Sequence, residues 1–310
     1  MSAKWTADEM PDQSGRIATV TGGNSGLGFE TTKALAGAGA QVILACRNTE
    51  KGEQAASEIR AGDPDADIEV AELDLASLDS VRSFADRVRA DHPTIDLMVN
   101  NAGVMAPPRG ETADGFELQL GTNHLGHFAL TARLIGCLGG DDPRVVTVSS
   151  GAHRFGSIDF DDLQRERRYI RWRAYGQSKL ANLMFAYELD RRLRAVGSPI
   201  KSVAAHPGYA ATNLQFAAPP LLDRIVMTVS NKVIAQSAAM GALPQLYAAT
   251  YPGLEGGTYV GPDGIGEQRG HPKPVGSSGA ARNEETARRL WEVSEELTGV
   301  SFEIPAGVPG

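Results

Sequence analysis

Ile17-Ala-Thr-Val-Thr-Gly-Gly-Asn-Ser-Gly-Leu-Gly28 is the stretch from which the fold is read. A β-branched run gives way to a glycine-rich turn, and a helical pattern follows to about Ala38. Strand, glycine turn and helix in this order form the context that a dinucleotide-phosphate loop requires. Glycines let the backbone approach a pyrophosphate, and a helix N-terminus offers free N–H donors and positive potential. The spacing is Gly-x-x-x-Gly-x-Gly, different from the common Gly-x-Gly-x-x-Gly, so the motif alone also suits a generic turn between strand and helix.

The neighbouring segments extend the pattern. Gln41–Cys46 reads as a second strand, Thr49–Arg60 as a helix, Ile68–Leu73 as a third strand, Ser77–Asp91 as a helix and Asp96–Val99 as a fourth strand. Further on, Phe116–Leu138 reads as one long helix, Arg144–Val148 as a fifth strand and Ile200–Ala205 as a sixth. Gln236–Ala249 and Glu284–Leu297 are helical in pattern, and Gly256–Val260 is a candidate seventh strand. Gly261–Ala281, rich in Gly and Pro, reads as loop. Strands alternating with helices predict an α/β fold, a parallel sheet covered on both faces. Ligands then bind beyond the C-terminal strand ends. Gly22, Arg47, Asp74 and Asn101 all follow strands and so gather on one surface.

Two residues suggest the chemistry. Tyr175 and Lys179 are four apart in a segment rich in helix formers, so they share one helix face. A phenol is a poor acid at neutral pH, with an ordinary pKa of about 10. A nearby ammonium favours the phenolate and would bring that pKa toward the working range. Such a pair can pass a proton to or from an alcohol or carbonyl oxygen. By itself Tyr-x-x-x-Lys equally describes an amphipathic helix with one buried and one exposed side chain. Arg47, standing where an acid would bind the ribose 2′-hydroxyl of NAD, favours the 2′-phosphate of NADP, with NAD still possible.

Composition narrows the function classes. The 310 residues are 42% hydrophobic and 22% charged, which suits a soluble globular protein able to bury a full core. A net charge of -8 argues against nucleic acid or anionic membrane as a general partner. Two cysteines, Cys46 and Cys137, without Cys-x-x-Cys spacing fit a reducing compartment and no cysteine metal site. No apolar run reaches the roughly 18 residues of a membrane span. The expectation is a cytoplasmic protein with an N-terminal arm (1–14), one domain (15–300) and a C-terminal tail (301–310). The arginines between 165 and 173 read as a solvated face. His127 and His153 lack partners at metal-like spacing and read as structural, with no metal expected.

Thr21-Gly-x-x-x-Gly-x-Gly28, Asn100-Asn-Ala-Gly103, Ser149-Ser150, Tyr175-x-x-x-Lys179 and Pro207-Gly208 occur in this order. Together, over roughly Gly15 to Val260, they resemble the short-chain dehydrogenase/reductase family. The resemblance implies a single Rossmann-type doubly wound domain, a seven-stranded parallel sheet in order 3-2-1-4-5-6-7, and homodimers or homotetramers. Carried over by position, Tyr175 is the general acid/base and Lys179 lowers its pKa and holds the nicotinamide ribose. Ser150 bonds the substrate oxygen, and Asn123 positions a water beside the lysine. Gly22, Asn24, Ser25, Gly26, Leu27 and Gly28 line the pyrophosphate. Arg47 and Asn48 meet the ribose phosphate, and Asp74 and Leu75 flank the adenine. Asn101, Ala102 and Gly103 line the cofactor's other side, and Pro207, Gly208 and Thr212 its nicotinamide end.

Leu44-Ala-Cys-Arg47, Thr122-Asn-His-Leu-Gly-His-Phe128 and Val148-Ser-Ser-Gly-Ala-His153 resemble retinol dehydrogenase-like members more closely. The implied function is an NADP(H)-dependent carbonyl reductase or alcohol dehydrogenase acting on a small molecule. Tyr209–Ser230 is expected to cover the substrate, and Phe216, Leu221, Leu222, Ile225 and Met227 make it apolar, which suits a lipophilic carbonyl. Alternatives are a C=C reductase of protochlorophyllide-reductase type and a non-catalytic NADP-sensing protein. A nucleotide-sugar epimerase shares Tyr-x-x-x-Lys, but its tighter glycine spacing differs from Thr21–Gly28.

Overall fold

Along Gln41–Cys46, Val42 and Leu44 pack into one buried layer and Ile43 and Ala45 into the opposite one. Alternate side chains of a strand point to opposite faces, so an apolar run of this kind needs cover on both sides. The computed structural model, which describes residues 4–208 and 237–306, supplies that cover. The sheet comprises β1 (Ile17–Thr21), β2 (Gln41–Cys46), β3 (Ile68–Glu72), β4 (Leu97–Asn100), β5 (Arg144–Val148), β6 (Lys201–Ala205), β7 (Tyr259–Pro262) and β8 (Pro272–Pro274). Its order is β3-β2-β1-β4-β5-β6-β7-β8. One face carries α1 (Gly26–Gly37), α2 (Thr49–Gly62) and α7 (Ala238–Thr250). The other carries α3 (Leu78–Asp91), α5 (Gly126–Leu134), α6 (Arg171–Ala195) and α8 (Glu284–Thr298).

β1 pairs in parallel with both β2 and β4, so the chain order reverses on either side of it. That reversal opens a crevice at the C-terminal strand ends.

The expected seven parallel strands become eight, the last antiparallel to β7. β8 lies in the stretch read as loop from its Gly and Pro content. Pro272 and Pro274 cannot donate backbone hydrogen bonds, so the strand is admissible only at a sheet edge, where it is found. The helix expected over 116–138 is also divided. It runs as α4 (Leu118–Leu120), a π-helical turn (Gly121–Leu125), α5 and a 3₁₀ turn (Ile135–Cys137). α6 begins at Arg171, a full turn before Tyr175.

The two ends of the described chain are packed. Trp5 is buried and meets the Tyr247 ring edge-on at 5.3 Å. Phe302 lies 4.4 Å from the Trp291 ring. Among the described residues, no helix is long and apolar enough to cross a membrane.

Candidate active site

The crevice beside β1 is a cavity whose wall contains most of the cofactor residues expected from the sequence. Gly22, Asn24, Ser25, Gly26, Leu27, Gly28, Arg47, Asp74, Leu75, Asn101, Ala102 and Gly103 all line it. Gly22 adopts φ 66°, in the left-handed region open to glycine. A Cβ on Gly28 would stand 2.1 Å from the Gly22 carbonyl oxygen, so the turn closes this tightly only with glycine there. Ser25 caps α1 without a side-chain hydrogen bond, and the first turn holds no acidic residue. Its N–H groups therefore face the cavity beside Gly26, Leu27 and Gly28, a setting that suits a phosphate. The residues fit a dinucleotide.

Asn101 holds this wall together. Its amide Nδ2 donates to the Thr21 carbonyl at 2.8 Å, and its Oδ1 accepts from Gln245 Nε2 at 3.1 Å. Asn48 is different from the expectation. It does not appear in the cavity wall, and its side-chain oxygen accepts from Lys51 N at 2.9 Å as the cap of α2. An Asn before a helix competes for the cap because its oxygen satisfies an otherwise orphan donor.

The residues expected to handle the proton stand behind the Gly103 side of this wall. A Cβ on Gly103 would be 2.9 Å from Asn123 Oδ1 and 3.5 Å from Lys179 Nζ, which places these side chains directly behind the cavity wall. Lys179 is buried and donates from Nζ to the Val148 carbonyl at 3.1 Å. Burial disfavours its charge and pushes its pKa down to about 8. Tyr175 is also buried, and burial pushes its phenol up to about 12, opposed by a hydrogen bond with the Ser150 side chain. The expected lowering of the phenol by Lys179 is therefore not what dominates. The ammonium lies 5.9 Å from the ring centroid, and loss of water around the phenol prevails.

The two serines divide their roles. Ser150 lies against Tyr175 and accepts from Ala152 N at 3.2 Å. Ser149 is buried and donates to the Lys179 carbonyl at 2.7 Å. Adjacent residues in extended backbone point to opposite sides, and of the two only the second serine is partly exposed.

Asn123 sits on the π-helical turn. Its Oδ1 accepts from Val104 N at 2.7 Å, and its Nδ2 donates to Val104 O and Ser178 Oγ at 2.9 Å each. Its side chain ties the Val104 segment to α6.

Of the remaining expectations, Gly208 N donates to His206 Nδ1 at 3.2 Å, beside Pro207 at the end of β6. Thr212 and the proposed substrate cover, Tyr209–Ser230, lie outside the described residues. Arg165, from the arginine-rich stretch, bonds Asp159 and Gln177 at 3.1 and 2.6 Å. Thr21, Val104 and Thr122 also line the cavity and were not foreseen, nor was Ser178. Thr21 could have been found as the last residue of the first strand, beside the glycine turn. Ser178, one residue before Lys179, carries no signal of its own.

Comparison with known proteins agrees with this geometry. The family model described as short chain dehydrogenase matches residues 16–220. Human retinol dehydrogenase 12 (Homo sapiens) is 43% identical over 292 residues, covering 93% of this chain and 88% of the relative. The crystal structure of an uncharacterized protein from Mycobacterium Paratuberculosis is 47% identical. It covers 97% of this chain and 99% of its own, with a TM-score of 0.82. The NADP active-site complex of Pseudomonas aeruginosa RhlG is 25% identical, covers 79% of this chain and 94% of its own, and has a TM-score of 0.62.

Proposed function

This chain belongs to the short-chain dehydrogenase family and is an oxidoreductase, and from that premise we propose that it interconverts a lipophilic carbonyl and its alcohol with NADP(H). The observation that carries this reading is the hydrogen bond between the Ser150 side chain and the Tyr175 phenol, on the helix whose Lys179 Nζ would lie 3.5 Å from a Cβ on Gly103 in the wall of a cavity that fits a dinucleotide. When bound, the nicotinamide gives or takes the hydride. The chain's own residues do the rest. Tyr175, protonated at neutral pH because it is buried, gives its proton to the substrate oxygen during reduction and takes it back during oxidation. Ser150 donates to the same oxygen and stabilises the alkoxide as charge develops. Lys179 holds the nicotinamide ribose, and Asn123 fixes the helix turn behind it.

Gly22 to Gly28 bind the pyrophosphate, Asp74 and Leu75 flank the adenine, and Asn101 to Gly103 support the other side. Arg47 takes the 2′-phosphate, consistent with NADP in the RhlG complex. Pro207, Gly208 and Thr212 meet the nicotinamide end. The lipophilic character rests on the apolar sequence of Tyr209–Ser230 and on the relative's being a retinol dehydrogenase. A cytoplasmic homodimer or homotetramer belongs to the same reading.

A panel of all-trans-retinal, decanal and cyclohexanone, each with NADPH and NADH, tests it by loss of reduced-nicotinamide absorbance. Faster turnover of the two lipophilic aldehydes with NADPH is expected. No turnover of any carbonyl with either cofactor overturns the reading.

A further inference from the structure

His127 is buried between the cofactor wall and the catalytic helix, and the reaction as proposed makes no use of it. Its Nε2 lies 2.9 Å from Thr21 Oγ1, and its Nδ1 lies 3.0 Å from the Asn123 carbonyl oxygen. We propose that His127 is a positioning residue that joins the cofactor-binding wall to the catalytic helix, and that it does so as the neutral Nδ1–H tautomer.

Two independent constraints fix that tautomer. The Asn123 carbonyl can only accept, so Nδ1 carries the proton. At the other end, Thr21 Oγ1 already accepts from Asn101 N and Ala102 N, at 2.9 Å each. Those bonds occupy both lone pairs of the hydroxyl, leaving only its proton for His127. The alternative acceptor, the Val99 carbonyl, is 3.4 Å away, beyond the range of a good O–H···O bond. Thr21 therefore donates, and Nε2 accepts. An imidazolium would present a second N–H to a hydroxyl with no lone pair left.

The connection continues past Asn123. Its Nδ2 donates to Ser178 Oγ, which donates to the Tyr175 carbonyl at 2.9 Å. Asn101 and Ala102, which line the cofactor cavity, are thus tied through Thr21, His127, Asn123 and Ser178 to the backbone of Tyr175. A shift in the cofactor wall would reach the acid through this chain, and misplacement of about 1 Å can cost on the order of 10²-fold in rate. The effect on turnover rests on the reading of Tyr175 as the acid; the tautomer and the effect on the cofactor wall do not.

The test uses the full chain and two partial replacements. The shorter His127→Asn can still offer an N–H to the Asn123 carbonyl, while the longer His127→Gln can still accept from Thr21. NADPH Kd by fluorescence, kcat with the fastest carbonyl of the panel, thermal midpoint, and ¹⁵N shifts of the wild-type His127 ring at pH 7 are measured. The expected ring carries a protonated Nδ1 and an unprotonated Nε2. His127→Gln should leave NADPH Kd near wild type and lower kcat about tenfold or more. His127→Asn should weaken NADPH binding by a similar factor. An Nε2–H tautomer or an imidazolium at pH 7 overturns the proposal, whether or not a variant folds. Variants in which NADPH affinity and kcat fall together in proportion to a lost thermal midpoint, or in which neither changes, overturn it as well. If the wild type turns over no carbonyl, the reaction assigned above fails, while the ring shifts and NADPH Kd still decide the place of His127.

Discussion

Ser149 Oγ donates to the Lys179 carbonyl at 2.7 Å and so turns away from the phenol that its neighbour Ser150 touches. The pair therefore separates rate from stability. Ser150→Ala should lower kcat by about 10²-fold or more, the typical cost of losing a donor to a developing oxyanion. Ser149→Ala should leave kcat nearly unchanged but cost about 1–3 kcal/mol, because it strips a partner from buried groups that include the Tyr259 phenol. Chemical denaturation and steady-state kinetics on both variants check this. Equal losses of kcat would mean that the second serine has no privileged place.

Much of this arrangement is legible in the sequence. Gln41–Cys46 and Arg144–Val148 are strands at both predicted ends, because each is a short run dominated by β-branched and apolar residues. The glycine turn is legible because its close approaches demand glycine whatever surrounds it. β8 is not, since its prolines resemble a loop until an edge is available to receive them. The π-helical turn within 116–138 is set by packing against the rest of the chain and leaves no periodic trace. Asn48 matches the family position for the ribose phosphate, yet its side chain caps α2. The phenol's upward shift comes from burial between distant segments, which spacing along one helix cannot report. His127 has one partner, the Asn123 carbonyl, a helical turn away, but the other, Thr21, is 106 residues away and only the fold brings it near.

The high position of Tyr175 predicts different pH behaviour for the two directions of reaction. Reduction needs the protonated phenol, which is present throughout the neutral range because burial holds its pKa up at about 12. Oxidation needs the phenolate, whose fraction rises tenfold per pH unit well below that value. Alcohol oxidation should therefore accelerate from pH 6 to 8, while carbonyl reduction stays nearly level. Tyr175→Phe should reduce both by about 10²–10⁴-fold, with NADPH affinity retained. A Phe variant keeping more than about a tenth of wild-type kcat would remove the phenol from the chemistry.

Buried histidines should make the fold sensitive to acid. Burial pushes His124 down to about 3 and His127 to about 4, whereas an unfolded histidine titrates near 6.5. Below pH 6.5 the unfolded chain gains protons that the folded chain refuses until about pH 4, so stability falls as pH falls. Each histidine contributes a slope of up to about 1.4 kcal/mol per pH unit. His124→Gln can keep a donor to Ser294 Oγ, which His124 Nε2 meets at 2.9 Å, but cannot titrate. Its denaturation midpoint should decline less steeply than that of the wild type between pH 6.5 and 4.5. Parallel declines would show that His124 takes up its proton as readily in the folded chain as in the unfolded one.

Arg47 should decide the choice of cofactor. It follows β2, lines the cavity and is exposed, so its guanidinium can meet a 2′-phosphate without leaving a buried partner. Its planar fork makes charge-assisted bonds to phosphate oxygens. A bond of that kind contributes about 1.5–3 kcal/mol, which corresponds to roughly ten- to a hundred-fold in kcat/KM for NADPH over NADH. Asn48 cannot be counted on for a second contact while its oxygen caps α2. Asn24 and Ser25 leave the phosphate loop itself neutral, so a preference is expected in place of strict exclusion. Arg47→Asp removes the attraction, adds repulsion toward the 2′-phosphate and supplies an acceptor for a 2′-hydroxyl, and should reverse the order. Steady-state kinetics with both cofactors on both proteins measure the ratio. Equal use of NADH by the wild type, or a surviving NADPH preference in the Asp variant, would place cofactor selection elsewhere in the cavity.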